Sequence, residues 1–259
     1  MQESGSLQFK APTSSPELGI QFKYYFFILA LFTATWLISN IAAVKLVSVF
    51  GIILTGGFLV FPFTSMLESI LVEVYGYKNS RQAIWAGFIL NLSFVFFITI
   101  VNLIPSSPTW RLGDQFQNIL VPGMRIILAS LFSFIVSNFL NSLLMAKMKM
   151  KSKGKGLLKR IFLSNMASLS VDIILFLSLA FYGTLANSIL LQLIYVAYLK
   201  KLACQLLFYP LILFLIKKLK AWEGIEIYDY NTKFNPFLLD NVYELDFSKN
   251  NIDKKLSLS

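Results

Sequence analysis

Six ionisable side chains fall inside stretches otherwise too apolar to hold them: Glu68 and Glu73, Asp172, and Lys45, Lys200 and Lys201. Asn40, Asn138, Asn141, Ser164, Asn165 and Ser168 join them from the neutral side. Buried charge is costly unless it is paired or faces a polar cavity, so such groups mark a functional site or an internal ion pair. Their spacing gives them geometry. Asn138 and Asn141 are three apart, and Ser164, Ser168 and Asp172 follow at intervals of four, so on helices each set shares one face. The second set is thus a polar stripe ending in a carboxylate near mid-membrane.

The elements that must carry these groups follow from composition. Of the 259 residues, 56% are hydrophobic and only 14% charged, with a mean hydropathy of +0.67. Soluble domains carry about 25% charged residues, so this chain lacks the polar surface for water. Apolar runs cover 24–44, 49–75, 83–104, 122–146, 161–183 and 187–216. Each is long enough for a bilayer core about 30 Å thick, and some must tilt or break. The fold class expected is an all-α integral membrane protein, a bundle of six transmembrane helices. With no histidine and a single cysteine, Cys204, a Cys/His metal site, a Cys–His nucleophile pair and an internal disulfide are excluded. No metal or cofactor is expected.

Charge placement sets the orientation. Lys10 and Lys23 precede the first run, Lys78 and Arg81 separate the second from the third, and seven basic residues from Lys147 to Arg160 separate the fourth from the fifth. Lys217, Lys218 and Lys220 follow the sixth, while Arg111 alone lies in the 105–121 loop. With six spans every basic segment falls on one side, which places both termini in the cytoplasm. The net charge of +10 is thus a membrane signal, with no direct nucleic-acid partner. Residues 1–22 read as a disordered cytoplasmic tail without the pattern of a signal peptide. Residues 23–220 form the membrane domain, and 221–259 a polar cytoplasmic tail with little regular structure.

Two readings of the intramembrane charges compete. In one they pair internally: Glu68 or Asp172 with Lys200, and Glu73 with Lys78 or Arg81 at the cytoplasmic interface. In the other, Glu68 and Asp172 face a ligand. Lys200 and Lys201 point about 100° apart on a helix, so at most one can reach a given site. Trp36, Phe61 and Tyr182 are placed to stack on a planar molecule. Tyr24, Tyr25, Trp85, Trp110 and Trp222 lie near span ends as interfacial anchors.

Residues 61–85 carry the most specific pattern, FPFTSMLESILVEVYGYKNSRQAIW. Pro62 is a candidate break in the helix, and Glu73-Val74-Tyr75-Gly76-Tyr77 closes it, with Gly76 at a C-terminal cap. This block resembles the signature of the queuosine precursor transporter family, also described as the family of vitamin-type uptake transporters. The likeness extends over Ser39 to Lys45, Arg81 and Trp85, Arg125 and Ser130, the span-five stripe, Lys200 or Lys201 before Pro210, and a tail from Tyr228 to Phe237.

The resemblance implies a six-helix fold like the substrate-binding subunits of energy-coupling-factor transporters. It also implies uptake across the bacterial inner membrane of 7-cyano- and 7-aminomethyl-7-deazaguanine, or queuine, for tRNA modification. Asp172 or Glu68 would then accept the guanine-like edge, with Asn40, Asn138 or Ser168 completing it. Lys45, Asn141 and Lys200 belong to the same expected substrate site, while Pro62, Glu73, Tyr75, Gly76 and Arg81 form the helix break and cytoplasmic motif. This chain departs from the family pattern at Glu68, usually Asp, at Asn138 and Asn141, usually Gln and Asp, and at Leu169, usually Gln.

Other classes fit parts of the pattern. A substrate-capture subunit for another planar metabolite or vitamin would need a partner energising module. The small residues Ala30 and Ala34 offer a face where that module could dock, though ordinary helix packing uses the same pattern; a homo-oligomer is the other assembly expected. An intramembrane enzyme using Glu68 and Asp172 as acid and base lacks any serine elbow or HExxH to support it.

Overall fold

The computed structural model describes residues 22–43, 45–49, 52–120, 124–230, 232–238 and 252–253. Helices α1 (Tyr25–Ala42), α2 (Gly57–Leu103), α4 (Met124–Lys151), α5 (Leu157–Phe181) and α6 (Asn187–Glu223) make up the bundle. The short α3 (Gly113–Leu120) lies between α2 and α4. Five helices among the described residues are long and apolar enough to cross a membrane. Their exposed faces carry Phe26, Phe27, Phe96, Phe97, Leu191 and Leu207, as hydrocarbon contact requires. The all-α membrane class holds.

The second and third apolar runs form one 47-residue segment, α2. At 1.5 Å per residue it is about 70 Å of helix, more than twice the hydrocarbon core. It is not straight. Gly76 has φ 80 and ψ 173, a conformation essentially reserved for glycine. Side-chain contacts show what this does to the path. Before Gly76 the chain runs against α1: Ser39 near the end of α1 donates to the Gly57 carbonyl at 3.2 Å, and Tyr75 shares the Glu223 carboxylate with the backbone of Tyr24 at its start. After Gly76 it runs with α1: Tyr25 donates to the Asn79 carbonyl (3.0 Å) and Asn40 to Asn91 (2.7 Å). One residue therefore reverses the chain where a loop was expected.

Pro62, expected to interrupt this helix, does not; the non-helical residue within Gly57–Leu103 is Gly76. Proline at the sixth position forfeits only a bond to the carbonyl of Phe58, close to the helix start. The second run also begins later than expected. Leu46–Val49 and Ile52–Thr55 form an antiparallel pair, β1 and β2, in register Leu46 with Thr55. Val47, Val49, Ile52, Ile53 and Thr55 are β-branched, which favours strand over helix. Hydropathy alone does not separate the two.

The polar tail folds back onto the elbow at Gly76. Asp229 is buried, and both its carboxylate oxygens accept the Tyr77 N–H (3.2 and 3.1 Å), capping the helical stretch that restarts there. Arg81 donates to the carbonyls of Lys233 and Asn235, and Trp85 to that of Pro236. Phe234 packs edge-on against Tyr77. Among the described residues of the tail beyond α6, regular structure is the two-residue pair β3 (Glu226–Ile227) and β4 (Ile252–Asp253). The expected disordered segment 1–21 lies outside the described residues.

Candidate functional site

Two polar centres stand out, at different depths of the bundle. The first is a network around Glu73, whose side chain has 0% exposure. It is held by Lys220 at 2.6 Å, Arg160 at 3.0 Å and Lys149 at 3.5 Å, and Lys149 also donates to the Glu73 carbonyl. Glu226 accepts from Lys220 at 2.7 Å. The expected partners Lys78 and Arg81 are replaced by cations from the end of α4, the start of α5 and the end of α6. Residues distant in sequence meet here because the helices end at one level, which sequence spacing cannot reveal. Glu223 makes a companion site, accepting the N–H groups of Lys23 and Tyr24 and the hydroxyl of the fully buried Tyr75.

The second centre is a cavity of about 160 Å³ between α1, α2, α4, α5 and α6. An engineered apolar cavity of about 150 Å³ holds benzene, so this one has room for a single small planar molecule. Among the described residues three ionisable groups line it: Glu68, Asp172 and Lys201. Asn141, behind the wall, donates to Glu68 at 2.7 Å. Asp172 pairs with Lys201 at 3.0 Å, and the Lys201 ammonium also lies 4.8 Å from the centre of the Phe61 ring.

One wall is aromatic. Trp36 stacks on Phe134 with ring centres 3.3 Å apart and planes 9° from parallel. Its place depends on Gly87, where an added Cβ would lie 2.9 Å from the indole. The remaining lining is amide and hydroxyl. The Asn138 amide N–H donates to the Phe134 carbonyl, which leaves its buried oxygen without a protein partner. The Gln205 amide meets the Ser65 hydroxyl. Ser39, Asn40, Thr64, Ser130, Ser137, Asn165 and Ser168 add to the polar surface, with the apolar Leu169 among them.

The expected site residues divide sharply. Asn40, Glu68, Asn138, Ser168 and Asp172 line the cavity, and Asn141 supports it through Glu68. Lys45 is exposed beyond the end of α1, and Lys200 is not on the cavity wall. Its neighbour Lys201 takes the aspartate instead, since successive helical residues point about 100° apart. Trp36 and Phe61 are at the site; Tyr182 is 66% exposed at the far end of α5. Tyr75, Gly76 and Arg81 belong to the elbow and its tail contacts. Gln205 was not foreseen. Its only sequence signal is a polar residue one turn after Lys201 in an apolar run. The positions that depart from the resembled pattern also converge: Glu68, Asn138 and Leu169 line the cavity, and Asn141 touches it through Glu68.

A polytopic helical membrane protein with a small charged chamber between its helices is the architecture of a solute carrier. Residues 55–215 match the family described as "Putative vitamin uptake transporter". A curated protein of Bacillus subtilis (strain 168), "Probable queuosine precursor transporter", is 27% identical over 176 residues, covering 66% of this chain and 76% of that protein. No solved structure matches. The chain belongs to the vitamin uptake transporter family, as the FPF…EVYGY block led one to expect, and its role is transport across a membrane.

Proposed function

We propose that this protein imports a 7-deazaguanine precursor of queuosine through the Glu68–Asp172 cavity. The observation that carries the reading is the chemistry of that chamber. Its wall presents two carboxylates and the unpartnered Asn138 oxygen, all acceptors, beside an aromatic surface. A ligand suited to it is flat and rich in N–H groups, as a 2-amino-pyrimidinone edge is. Asp172 reads that edge, and Asn138 and Ser168 serve the remaining ring atoms. A site built on such bonds rejects analogues that cannot make them.

In this reading the chain crosses the bacterial inner membrane six times, the elbow at Gly76 separating the second and third crossings, with both termini cytoplasmic. The cavity draws on the end of α1, the start of α2 and the start of α4, the half of the bundle away from the Glu73 network. The network therefore closes the cytoplasmic side of the chamber, and release of the cargo requires it to part. The chain works alone. Residues Ala30 and Ala34 remain the candidate face for a partner energising subunit or a second copy if it does not.

The test is restoration of queuosine in tRNA of a bacterium lacking both precursor synthesis and its own importer. Wild type should restore it when either deazaguanine is supplied. Asp172→Asn, at equal membrane abundance, should lower uptake roughly 10- to 100-fold, the scale of a lost charge-assisted hydrogen bond. An inserted wild-type protein that restores nothing with any precursor would remove the substrate assignment.

A further inference from the structure

Among the described residues three ionisable groups line the cavity, and only two of them pair with each other. Asp172 is neutralised by Lys201 at 3.0 Å, and the lysine is fixed there on its other side by the face of Phe61. Glu68 receives only the neutral amide of Asn141, at 2.7 Å. Among the described residues no cation lies within ion-pair distance of it. Lys149, Arg160 and Lys220 surround Glu73, at the other end of the bundle. Withdrawal from water makes the negative charge of such a carboxyl group costly, and a cation bound beside it offsets that cost, more effectively than it would in water.

We infer that Lys201 sets the charge of the cargo: as a tethered counter-ion for Asp172 it leaves Glu68 as the single uncompensated carboxylate, so the site selects a planar, donor-rich heterocycle carrying one positive charge over its neutral counterpart. This rests on the transport reading above and deepens it. The heterocycle edge lies at Asp172 beside Lys201, and an ammonium on a short arm reaches Glu68. A dication meets Lys201 and is disfavoured. An anion meets Glu68 and is excluded. Had Lys200 occupied the Asp172 position the arithmetic would be the same, but a lysine on neither carboxylate would leave the cavity doubly negative.

The two deazaguanine precursors supply the probes, since the aminomethyl form is a monocation at neutral pH and the cyano form is neutral. Initial uptake of each is measured singly and in competition, in cells expressing wild type, Glu68→Gln or Lys201→Met at matched membrane abundance. Wild type should favour the aminomethyl form by about tenfold, a 1.4 kcal/mol difference. Glu68→Gln should lower that ratio about tenfold, and Lys201→Met, which frees a second carboxylate, should raise it. The opposite shifts expected of the two variants guard against a loss of fold, which would depress both substrates together and leave the ratio unchanged. Uptake of both precursors without charge preference, or equal ratios in all three proteins, overturns the inference while sparing the transport reading. Uptake of neither by wild type overturns both.

Discussion

At the scale of single residues, the two carboxylates of α2 have opposite surroundings only five positions apart. Glu73 is fully buried and held by three cations, whereas Glu68 faces the chamber with an amide behind it. The first is built for rigidity and the second for a guest. Removing one partner from a buried ionic network leaves the rest uncompensated, at a cost of about 3 to 5 kcal/mol. Glu73→Gln should therefore lower the melting temperature of the detergent-purified protein markedly, while Glu68→Gln should change it little. Thermal unfolding of both variants checks this, and a Glu73→Gln protein as stable as wild type would show that the network carries no structural load.

Much of the chamber was legible in the sequence at this scale. Glu68, Asn138, Ser168 and Asp172 announce themselves because polar groups in apolar helices are rare and expensive. Lys201 was not separable from Lys200, because one residue of helical phase decides between them and no spacing rule fixes that phase. Ser137 was muted for another reason. It donates to the Phe134 carbonyl three residues back, on its own helix, and a serine in such a run implies no site by itself.

At the scale of elements, the sequence yields the helices but not how they join. The runs at 24–44, 161–183 and 187–216 fall on α1, α5 and α6. The strand pair at 46–55 is absorbed into an apolar run because strand and helix share hydrophobicity when both are short. The reversal at Gly76 was expected as a turn of several residues, because nothing in a Gly-Tyr-Lys-Asn stretch announces that helix resumes at once. Burial of the elbow explains the economy. Tyr77 finds its cap in Asp229, 152 residues later, so no local loop is needed to satisfy the new helix start.

This arrangement makes a topological prediction. In a Cys204→Ser background, a cysteine at Lys153, between α4 and α5, should react with a membrane-impermeant thiol reagent only from the cytoplasmic side. A cysteine at Ser107, between α2 and α4, should react only from the outside. Labelling of both from the same side would contradict an elbow that reverses the chain across the bilayer.

At the scale of the whole molecule, the structure separates two polar centres along one axis. Toward the basic end lie the Glu73 network, the Glu223 site that ties the starts of α1 and the end of α6 to Tyr75, and the tail strapped over Tyr77, Arg81 and Trp85. Toward the other end lies the chamber. Membership of the vitamin uptake transporter family fits this division: a carrier needs a selective site and a closure that can part beneath it. What no sequence pattern conveyed is that the EVYGY block and the tail motif, nearly 150 residues apart, form one unit.

Transport by this chain acting alone is the claim on which the account turns, and purified protein in sealed liposomes tests it most directly. With labelled 7-aminomethyl-7-deazaguanine outside, wild-type vesicles should show saturable internal accumulation over empty vesicles, and Asp172→Asn vesicles should not. Binding of the same molecule by wild type with no internal accumulation under any imposed ion gradient would contradict the account, and would make this chain the capture subunit of a larger machine.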